Sequence, residues 1–219
     1  MRVMIAGGHG QIALRLARLL AARGDQAVGL IRNPDHDADV RAAGAEAVIC
    51  DLEAVATTEL ARHVAGADAV VFAAGAGPGS GAARKETVDR AASVLLADAA
   101  QLAEVRRYVQ ISAISAGTPS RPRADEAWAA YVRAKTAAED DLRARDLDWT
   151  ILRPGRLTNA PGTGLVALAA PRTLQGEVPR DDVAAVTVAL LDTPATRAMT
   201  LELVGGHTPI AEAVSALTG

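Results

Sequence analysis

The sequence predicts one α/β domain of three layers, α/β/α, built on a doubly wound parallel sheet. Short apolar runs alternate with longer helical patterns along the whole chain, which indicates repeated β-α-β units. Several of the short runs are apolar throughout, as in AVVFAA at 69–74, and such strands are typical of a sheet that helices cover on both faces. A length of 219 residues suits a single domain with a substantial core.

The predicted strands cover residues 2–6, 26–31, 46–50, 68–74, 106–112, 148–153 and 198–204. The predicted helices cover residues 11–24, 52–65, 84–103, 131–145 and 181–192. Gly24 is expected to end the first helix, because glycine adopts the left-handed conformation of a helix C-terminus. Loops rich in Gly, Pro and Ser follow the fourth strand (75–82) and the fifth (115–124). Ligands bind at the carboxyl ends of strands in doubly wound sheets, so these loops are expected to border a site.

Composition excludes several classes of partner. The net charge is −3 with scattered arginines, and only five residues are aromatic. We therefore expect no nucleic-acid partner. No apolar run approaches the length of a membrane span, and glycines interrupt the short apolar N-terminus, so we expect no membrane association and no signal peptide. The single Cys50 fits a cytoplasmic location. The histidines at 36, 63 and 207 lack metal-ligand spacing, and no metal site is expected.

The stretch IAGGHGQIA, residues 5–13, follows the first strand and opens the first helix. This is the context of a dinucleotide-binding loop in a Rossmann-like fold. Gly7 or Gly8 would allow the tight turn, Gly10 would let the backbone approach a pyrophosphate, and Ala13 would let the helix pack against the sheet. The alternative is a tight turn without a ligand. The residues expected to contact the cofactor here are Gly7, Gly8, His9, Gly10, Gln11 and Ile12.

The end of the second strand bears on the choice of cofactor. An NAD site usually places an acid there, about 20 residues past the glycines, whereas this chain has Arg32. A guanidinium suits a 2′-phosphate, so NADP is expected and NAD is less favoured; the alternative is a solvated surface arginine. After the third strand, Asp51 could accept a hydrogen bond from adenine beside Leu52, or Asp51 could cap helix 52–65.

The stretch YVRAK places Tyr131 and Lys135 four residues apart in a predicted helix, on one face. The chain has only two tyrosines and two lysines. A nearby ammonium favours the phenolate, so Lys135 is expected to lower the pKa of Tyr131 from about 10 towards neutrality. The alternative is an ordinary aromatic with a neighbouring cation on a helix surface.

In these three motifs the chain resembles the short-chain dehydrogenase/reductase superfamily. The resemblance is to its atypical branch of small NAD(P)H-binding proteins, which are related to NmrA-like and epimerase-like folds. AGGHGQIA, LIRNP and YVRAK carry it, and DWTILRPGRL (148–157) and VPRDDVAAVTVALL (178–191) extend it. The motifs occur in the family's order, so residues 1–219 are expected to form one NAD(P)-binding Rossmann-like domain.

The resemblance implies a reaction and further site residues. Tyr131 would protonate a carbonyl oxygen as hydride arrives, and Lys135 would also hydrogen-bond the nicotinamide ribose. The family's serine at the end of strand five falls on Ala113 in a strict alignment, so Ser112, Ser115 or neither would support catalysis. The small residues of the loop after strand four and the Pro-Gly turn after strand six would also line the cofactor: Ala73, Ala74, Gly75, Pro154 and Gly155.

The expected function is an NADPH-dependent oxidoreductase that acts on a small carbonyl, quinone or related acceptor. The alternative is a non-catalytic NADP(H)-binding redox sensor of the NmrA-like type. An epimerase or dehydratase is less favoured, because the region after strand six is short for a nucleotide-sugar pocket. The substrate would lie between segments 75–82, 115–128 and 155–180, with 155–180 forming a small substrate-side lobe. The resemblance also implies a homodimer through helices 84–103 and 131–145.

Overall fold

The computed structural model describes residues 1–77, 79–118, 125–171 and 174–217. Its strands are β1 (Arg2–Ala6), β2 (Gln26–Ile31), β3 (Ala45–Ile49), β4 (Ala69–Phe72), β5 (Arg107–Ile111), β6 (Asp148–Pro154), β7 (Arg156–Thr158), β8 (Leu165–Ala169), β9 (Glu177–Pro179), β10 (Met199–Gly205) and β11 (Thr208–Pro209). Its helices are α1 (Gln11–Ala22), α2 (Asp37–Ala42), α3 (Thr57–Val64), α4 (Ala82–Arg84), α5 (Ala92–Leu102), α6 (Glu126–Arg143), α7 (Arg180–Leu191) and α8 (Ile210–Ser215). A π-helical turn, Lys85–Ala91, joins α4 to α5.

The central sheet has nine strands in the order β11-β8-β10-β6-β5-β4-β1-β2-β3 within the described residues. All neighbours from β3 to β10 run parallel, whereas β8 is antiparallel to β10 and β11 is antiparallel to β8. The chain builds outward from β1 to β3, then returns to β4 and builds in the other direction. The doubly wound Rossmann-like α/β fold predicted from the sequence is confirmed, and its topological switch point lies between β1 and β4.

The core lies on both faces of the sheet. Side chains alternate along β1, so Val3 and Ile5 pack with α1 and α7, while Met4 packs on the opposite face with α3, α5 and α6. Tyr108 and Phe72 are the largest fully buried side chains, and both belong to this second face. Burial on both faces explains why the central strands are apolar throughout.

Several elements differ from the prediction. A 3₁₀ turn (Pro34–His36) and α2 were not predicted, because only Val40 of α2 is buried and its short charged sequence lacks an apolar period. Helix α3 begins at Thr57 rather than at 52. In segment 155–180, β7 pairs with β9 in a separate two-stranded sheet, whereas β8 joins the central sheet. Residues 172–173 of this segment lie outside the described residues.

The glycines after β1 meet two other strands. The backbone of Gly7 has φ +79°, the left-handed region, and a Cβ there would lie 2.7 Å from the Cα of Ala74. A Cβ on Gly8 would lie 2.6 Å from the Cα of Gly29 in β2. The Gly8 N–H also donates to the Leu30 carbonyl at 2.9 Å. Glycine is therefore required at both positions by the protein backbone itself.

We predict that Gly8→Ala lowers the free energy of unfolding by about 1–3 kcal/mol, because backbone rather than a flexible side chain must move to admit the methyl group. Urea unfolding measures it. The matched control is Gly81→Ala, at a site with φ −68° and nothing within 4 Å of the added Cβ, where we expect a loss below about 1 kcal/mol. Equal losses in the two variants would contradict the close approach of Gly8 to β2.

Candidate active site

The glycine loop presents the N-terminus of α1 at the carboxyl edge of the sheet. Gly10 is the N-cap residue, with φ −61° and ψ 149°, and no side chain caps the first turn. The N–H groups of that turn therefore lack intrahelical partners and favour an anion such as a pyrophosphate. A Cβ on Gly10 would lie 3.0 Å from the Gly7 carbonyl oxygen. A larger residue at this position would distort the loop whether or not a ligand is bound.

A cavity of about 340 Å³ extends from this loop across the ends of β2 and β3 to the loop after β4. It lies at the switch point, where doubly wound sheets bind dinucleotides. Nine of the predicted cofactor residues line it: Gly7, His9, Gly10, Arg32, Asp51, Leu52, Ala73, Ala74 and Gly75. The lining also includes residues that were not predicted, notably Asn33, His36, Cys50, Glu53, Arg84 and Val88.

One carboxylate, Glu53, holds two arginines at this cavity. Its Oε2 accepts from Arg32 Nη1 and from Arg84 Nη2, each at 2.8 Å, and its Oε1 accepts from Thr87 Oγ1 at 2.6 Å. The hydrogen bond from Thr87 and the two guanidinium charges lower the pKa of Glu53 against the opposing effect of burial. The Nε of Arg84 is buried and has no partner among the described residues. Independently of that buried atom, the guanidinium groups of Arg32 and Arg84 belong to residues that line the cavity, which suits a phosphorylated ligand.

Asp51 lines the cavity but caps no helix. Its Oδ1 accepts from the Glu53 N–H at 3.0 Å, and α3 begins six residues later after Ala56. The alternative in which Asp51 caps helix 52–65 is wrong, because a short turn precedes the helix. The contact with adenine stays a prediction.

His9 is packed by residues from the unpredicted turn and helix after β2. Its Nε2 lies 2.8 Å from Asp39 Oδ2, and its ring stacks on His36 with 3.6 Å between ring centroids. These contacts bring His9 and His36 together in the cavity lining. Their absence from the sequence analysis follows from the failure to predict α2.

Tyr131 and Lys135 lie on α6 in a cluster with Asp89 and Lys85 of the π-helical turn. Lys135 Nζ lies 3.2 Å from Asp89 Oδ1 and 5.9 Å from the centroid of the Tyr131 ring. Both charged side chains of the ion pair are almost fully buried, at 5% and 1% exposure. Asp89 Oδ2 also accepts from the Ala76 N–H at 3.2 Å. The ion pair therefore ties α6 to the loop that follows β4.

Lys135 lowers the pKa of Tyr131 as expected, but the net shift of that pKa is opposite to the expected one. Burial raises the pKa of the Tyr131 phenol, Lys135 opposes that rise, and Asp89 adds to it. The resulting pKa is raised rather than lowered, because burial of the phenol outweighs the ammonium charge and the Asp89 carboxylate adds to the rise. Tyr131 is consequently protonated at neutral pH and suited to donate a proton.

The two candidate serines differ in how their hydroxyl groups are used. Ser112 Oγ donates to Glu139 Oε1 at 2.5 Å, and Glu139 is fully buried between Arg143 and Arg153. A hydroxyl has one proton, so Ser112 cannot donate to a substrate carbonyl while it holds this bond. Ser115 Oγ is buried and has no partner among the described residues. The Ser112 proton is therefore engaged, and a catalytic role for either serine stays a prediction.

The remaining predicted residues lie outside the cavity lining. Gly8 faces β2, Gln11 is exposed at the start of α1, and Ile12 packs on the core. At the end of β6, the Pro154 carbonyl accepts from the Ile114 N–H at 3.0 Å, and the Gly155 N–H donates to the Leu203 carbonyl. The substrate walls predicted at 75–82, 115–128 and 155–180 are described only in part, since residues 78, 119–124 and 172–173 lie outside the described residues.

In the part of the chain that the structure describes, no three His, Cys, Asp or Glu side chains are grouped so that they could hold a metal ion. None of the helices in the described ranges combines the length and apolar character that crossing a membrane requires.

Comparison with known proteins gives consistent results. A family model described as NAD(P)H-binding matches residues 7–194. "Uncharacterized sugar epimerase YhfK" of Bacillus subtilis is 38% identical over 99% of this chain and 100% of its own length. The structure of a "Putative NAD-dependent epimerase/dehydratase" from Bacillus halodurans superposes with a TM-score of 0.91 and 32% identity over 99% of both chains. The structure of the oxidoreductase YlbE from Lactococcus lactis superposes with a TM-score of 0.86 and 27% identity over 99% of this chain and 96% of the other chain.

These matches confirm the resemblance to small epimerase-like and NmrA-like proteins of the short-chain dehydrogenase/reductase type. They also agree with the glycine loop, the cavity at the switch point and the order of the motifs along the chain. The chain belongs to the NAD(P)H-binding family.

Proposed function

We propose that this protein is an NADPH-dependent oxidoreductase that reduces a small carbonyl, quinone or related acceptor. The observation that carries the proposal is the buried cluster of Tyr131, Lys135 and Asp89, which lies at the same sheet edge as the cofactor cavity. Gly75 belongs to both regions, since it lines the cavity and a Cβ there would lie 3.3 Å from Asp89 Oδ1. A ligand that extends from the cavity along this loop would reach Tyr131.

The protonation state of Tyr131 supports reduction. A bound nicotinamide cofactor supplies hydride, and the product alkoxide then needs a proton. Because the pKa of Tyr131 is raised above its ordinary value, the phenol holds that proton at neutral pH. An epimerase that begins by oxidising a hydroxyl needs a base at the same position instead. The epimerase named among the relatives is the less favoured model for the present chain because the region after β6 is short for a nucleotide-sugar pocket.

The charges around the cavity favour binding of NADP(H) over NAD(H), but the expected difference in affinity is small. Arg32 and Arg84 both line the cavity, and a guanidinium suits a 2′-phosphate. Glu53 partly neutralises both guanidinium groups and would repel a 2′-phosphate. Arg32 and Arg84 are also about half exposed, which weakens their contribution further. We infer that the preference for NADPH is set by the competition between Glu53 and the 2′-phosphate for the two arginines.

A redox sensor remains the second candidate because of Ser112. In the family pattern a serine near this position holds the substrate carbonyl, whereas here its only proton is donated to Glu139. A sensor needs NADP(H) binding but no proton donor. Turnover that depends on Tyr131 separates the two functions.

We predict that Tyr131→Phe lowers kcat for NADPH-dependent reduction by roughly 10²- to 10⁴-fold while the Kd for NADPH changes by less than about 3-fold, because the hydroxyl acts only on the reacting proton. NADPH oxidation over a panel of carbonyls and quinones, with binding measured by fluorescence titration, provides the test. Tyr131→Phe is a cleaner probe than Lys135→Ala, which would leave the Asp89 charge buried and unpaired.

The matched control is Arg133→Gln, an exposed position on α6 with no role in the cluster, and its kcat should equal that of the wild type. The pH profile is a second check. A donor with a raised pKa stays protonated as pH rises, so kcat/KM should be level from pH 6 to beyond pH 9 and fall only above about pH 10, the ordinary pKa of tyrosine. Full activity of Tyr131→Phe would remove this acid from the mechanism, and binding without turnover in the wild type would favour the sensor.

We predict opposite effects at Arg32 and Glu53 on cofactor choice. Arg32→Ala should weaken NADPH binding about 10-fold and NADH binding by less than about 3-fold, because one charge-assisted hydrogen bond to the 2′-phosphate is lost. Glu53→Gln keeps a hydrogen-bond acceptor but removes the competing charge, so it should strengthen NADPH binding several-fold over NADH. Calorimetric titration of both cofactors measures the ratio. Equal changes for both cofactors in either variant would place these residues on the shared adenosine.

A further inference from the structure

Lys85 is a buried charged residue that the proposed chemistry does not use. Its side chain comes from the first position of the π-helical turn, and the residue is 9% exposed. Its Nζ donates to the Gly77 carbonyl at 2.8 Å and lies 5.3 Å from the centroid of the Tyr131 ring. This is nearer to that ring than Lys135 Nζ, at 5.9 Å. The two lysines of the chain therefore both stand beside the proposed proton donor.

The two ammonium groups differ in their partners. Lys135 is paired with Asp89, whereas Lys85 has no carboxylate within ion-pair distance in the part of the chain that the structure describes. An ammonium has three N–H donors, and only the one to Gly77 is used among these residues. Buried charges are ordinarily paired, because an unpaired one loses its hydration without compensation. The cluster of Lys85, Lys135 and Asp89 carries one excess positive charge and spare donors.

The position of Lys85 separates it from the cofactor cavity. The preceding residue, Arg84, points to the cavity and binds Glu53, whereas Lys85 points to Tyr131 on α6. Two successive residues of this segment therefore contact two different regions, the cofactor cavity and the surroundings of Tyr131. The π-helical geometry, which is rare and often found at functional sites, places Lys85 and Asp89 on the side of the cluster.

We propose that Lys85 binds an anionic group of the substrate, so that the acceptor is a carbonyl compound with a carboxylate or another anion close to the reducible carbonyl. This inference rests on the proposed function and narrows its substrate class. The carbonyl oxygen would face the Tyr131 hydroxyl, and the anion would take the spare donors of Lys85. A charge-assisted hydrogen bond of this kind gives roughly a 10- to 150-fold preference for the anion over a neutral analogue.

The test uses a matched pair of probes, phenylglyoxylate and its methyl ester, titrated calorimetrically into the protein saturated with NADP⁺. The oxidised cofactor cannot reduce the ketone, so the readout is binding and does not require turnover. The wild type should bind the acid at least about 10-fold tighter than the ester. Lys85→Met should lose that preference, Lys85→Arg should keep most of it, and Arg133→Gln should match the wild type.

Two controls keep the interpretation unambiguous. NADP⁺ should bind Lys85→Met with unchanged affinity, and the variant should unfold at a temperature no lower than the wild type, because a buried unpaired charge is replaced by an apolar group of similar size. Equal affinity for acid and ester in the wild type, an unchanged preference in Lys85→Met, or a loss of NADP⁺ binding in that variant would each overturn the role of Lys85. Failure of the proposed function would instead appear as normal binding of the acid with no NADPH oxidation in the presence of any acceptor.

Discussion

The whole site depends on the close approach of two backbone segments at Gly8 and Gly29, where a Cβ on Gly8 would lie 2.6 Å from the Cα of Gly29. The loop after β1 thus packs on β2 through Gly8 and on the segment after β4 through Gly7, which contacts Ala74. The N-terminus of α1 is thereby fixed at the sheet edge, where its free N–H groups point to the cavity. The loop lies at the switch point, and its residues Gly7 and Gly10 form part of the cavity lining.

Charge is distributed differently at the two ends of the site. At the cavity, Arg32 and Arg84 share the Glu53 carboxylate, in a partly exposed arrangement that a phosphate can rearrange at low cost. Beside Tyr131 the ion pair of Lys135 with Asp89 is buried and fixed. Asp89 has two effects there, since it orients Lys135 and also raises the pKa of the phenol. Burial is the larger cause, and together with Asp89 it keeps the pKa of Tyr131 above its ordinary value.

Periodicity and motif order predicted most of the fold. The central strands were found because they are buried on both faces and apolar throughout, and the glycine loop because its residues admit no Cβ. Helix α2 was missed because a single buried residue, Val40, leaves no pattern. Because α2 and the turn before it were not predicted, the partners of His9, which are Asp39 and His36, were not predicted either. Short elements held by tertiary contacts leave little trace in a sequence.

The site was predicted where it is formed by consecutive residues and missed where it is formed by pairing between distant ones. Tyr131 and Lys135 share a helix face and could be identified from their spacing. The missed residues act through partners 21 to 46 positions away in the sequence: Glu53 pairs with Arg32 and Arg84, and Asp89 pairs with Lys135. No local sequence pattern shows such pairs. The predicted direction of the Tyr131 pKa shift was wrong mainly because the spacing does not show that the phenol is buried, and also because Asp89 was not known to lie beside Lys135.

The central claim is that one cofactor spans the edge of the sheet from the cavity to Tyr131. A crystal structure of the protein with NADP⁺ tests it most directly. We predict adenosine between Arg32 and Arg84, the pyrophosphate on the N-terminus of α1, and the nicotinamide beside Tyr131, with room for a carbonyl carbon at roughly 3–3.5 Å from the nicotinamide C4. A nicotinamide directed away from α6, or adenosine outside the cavity, would contradict the account.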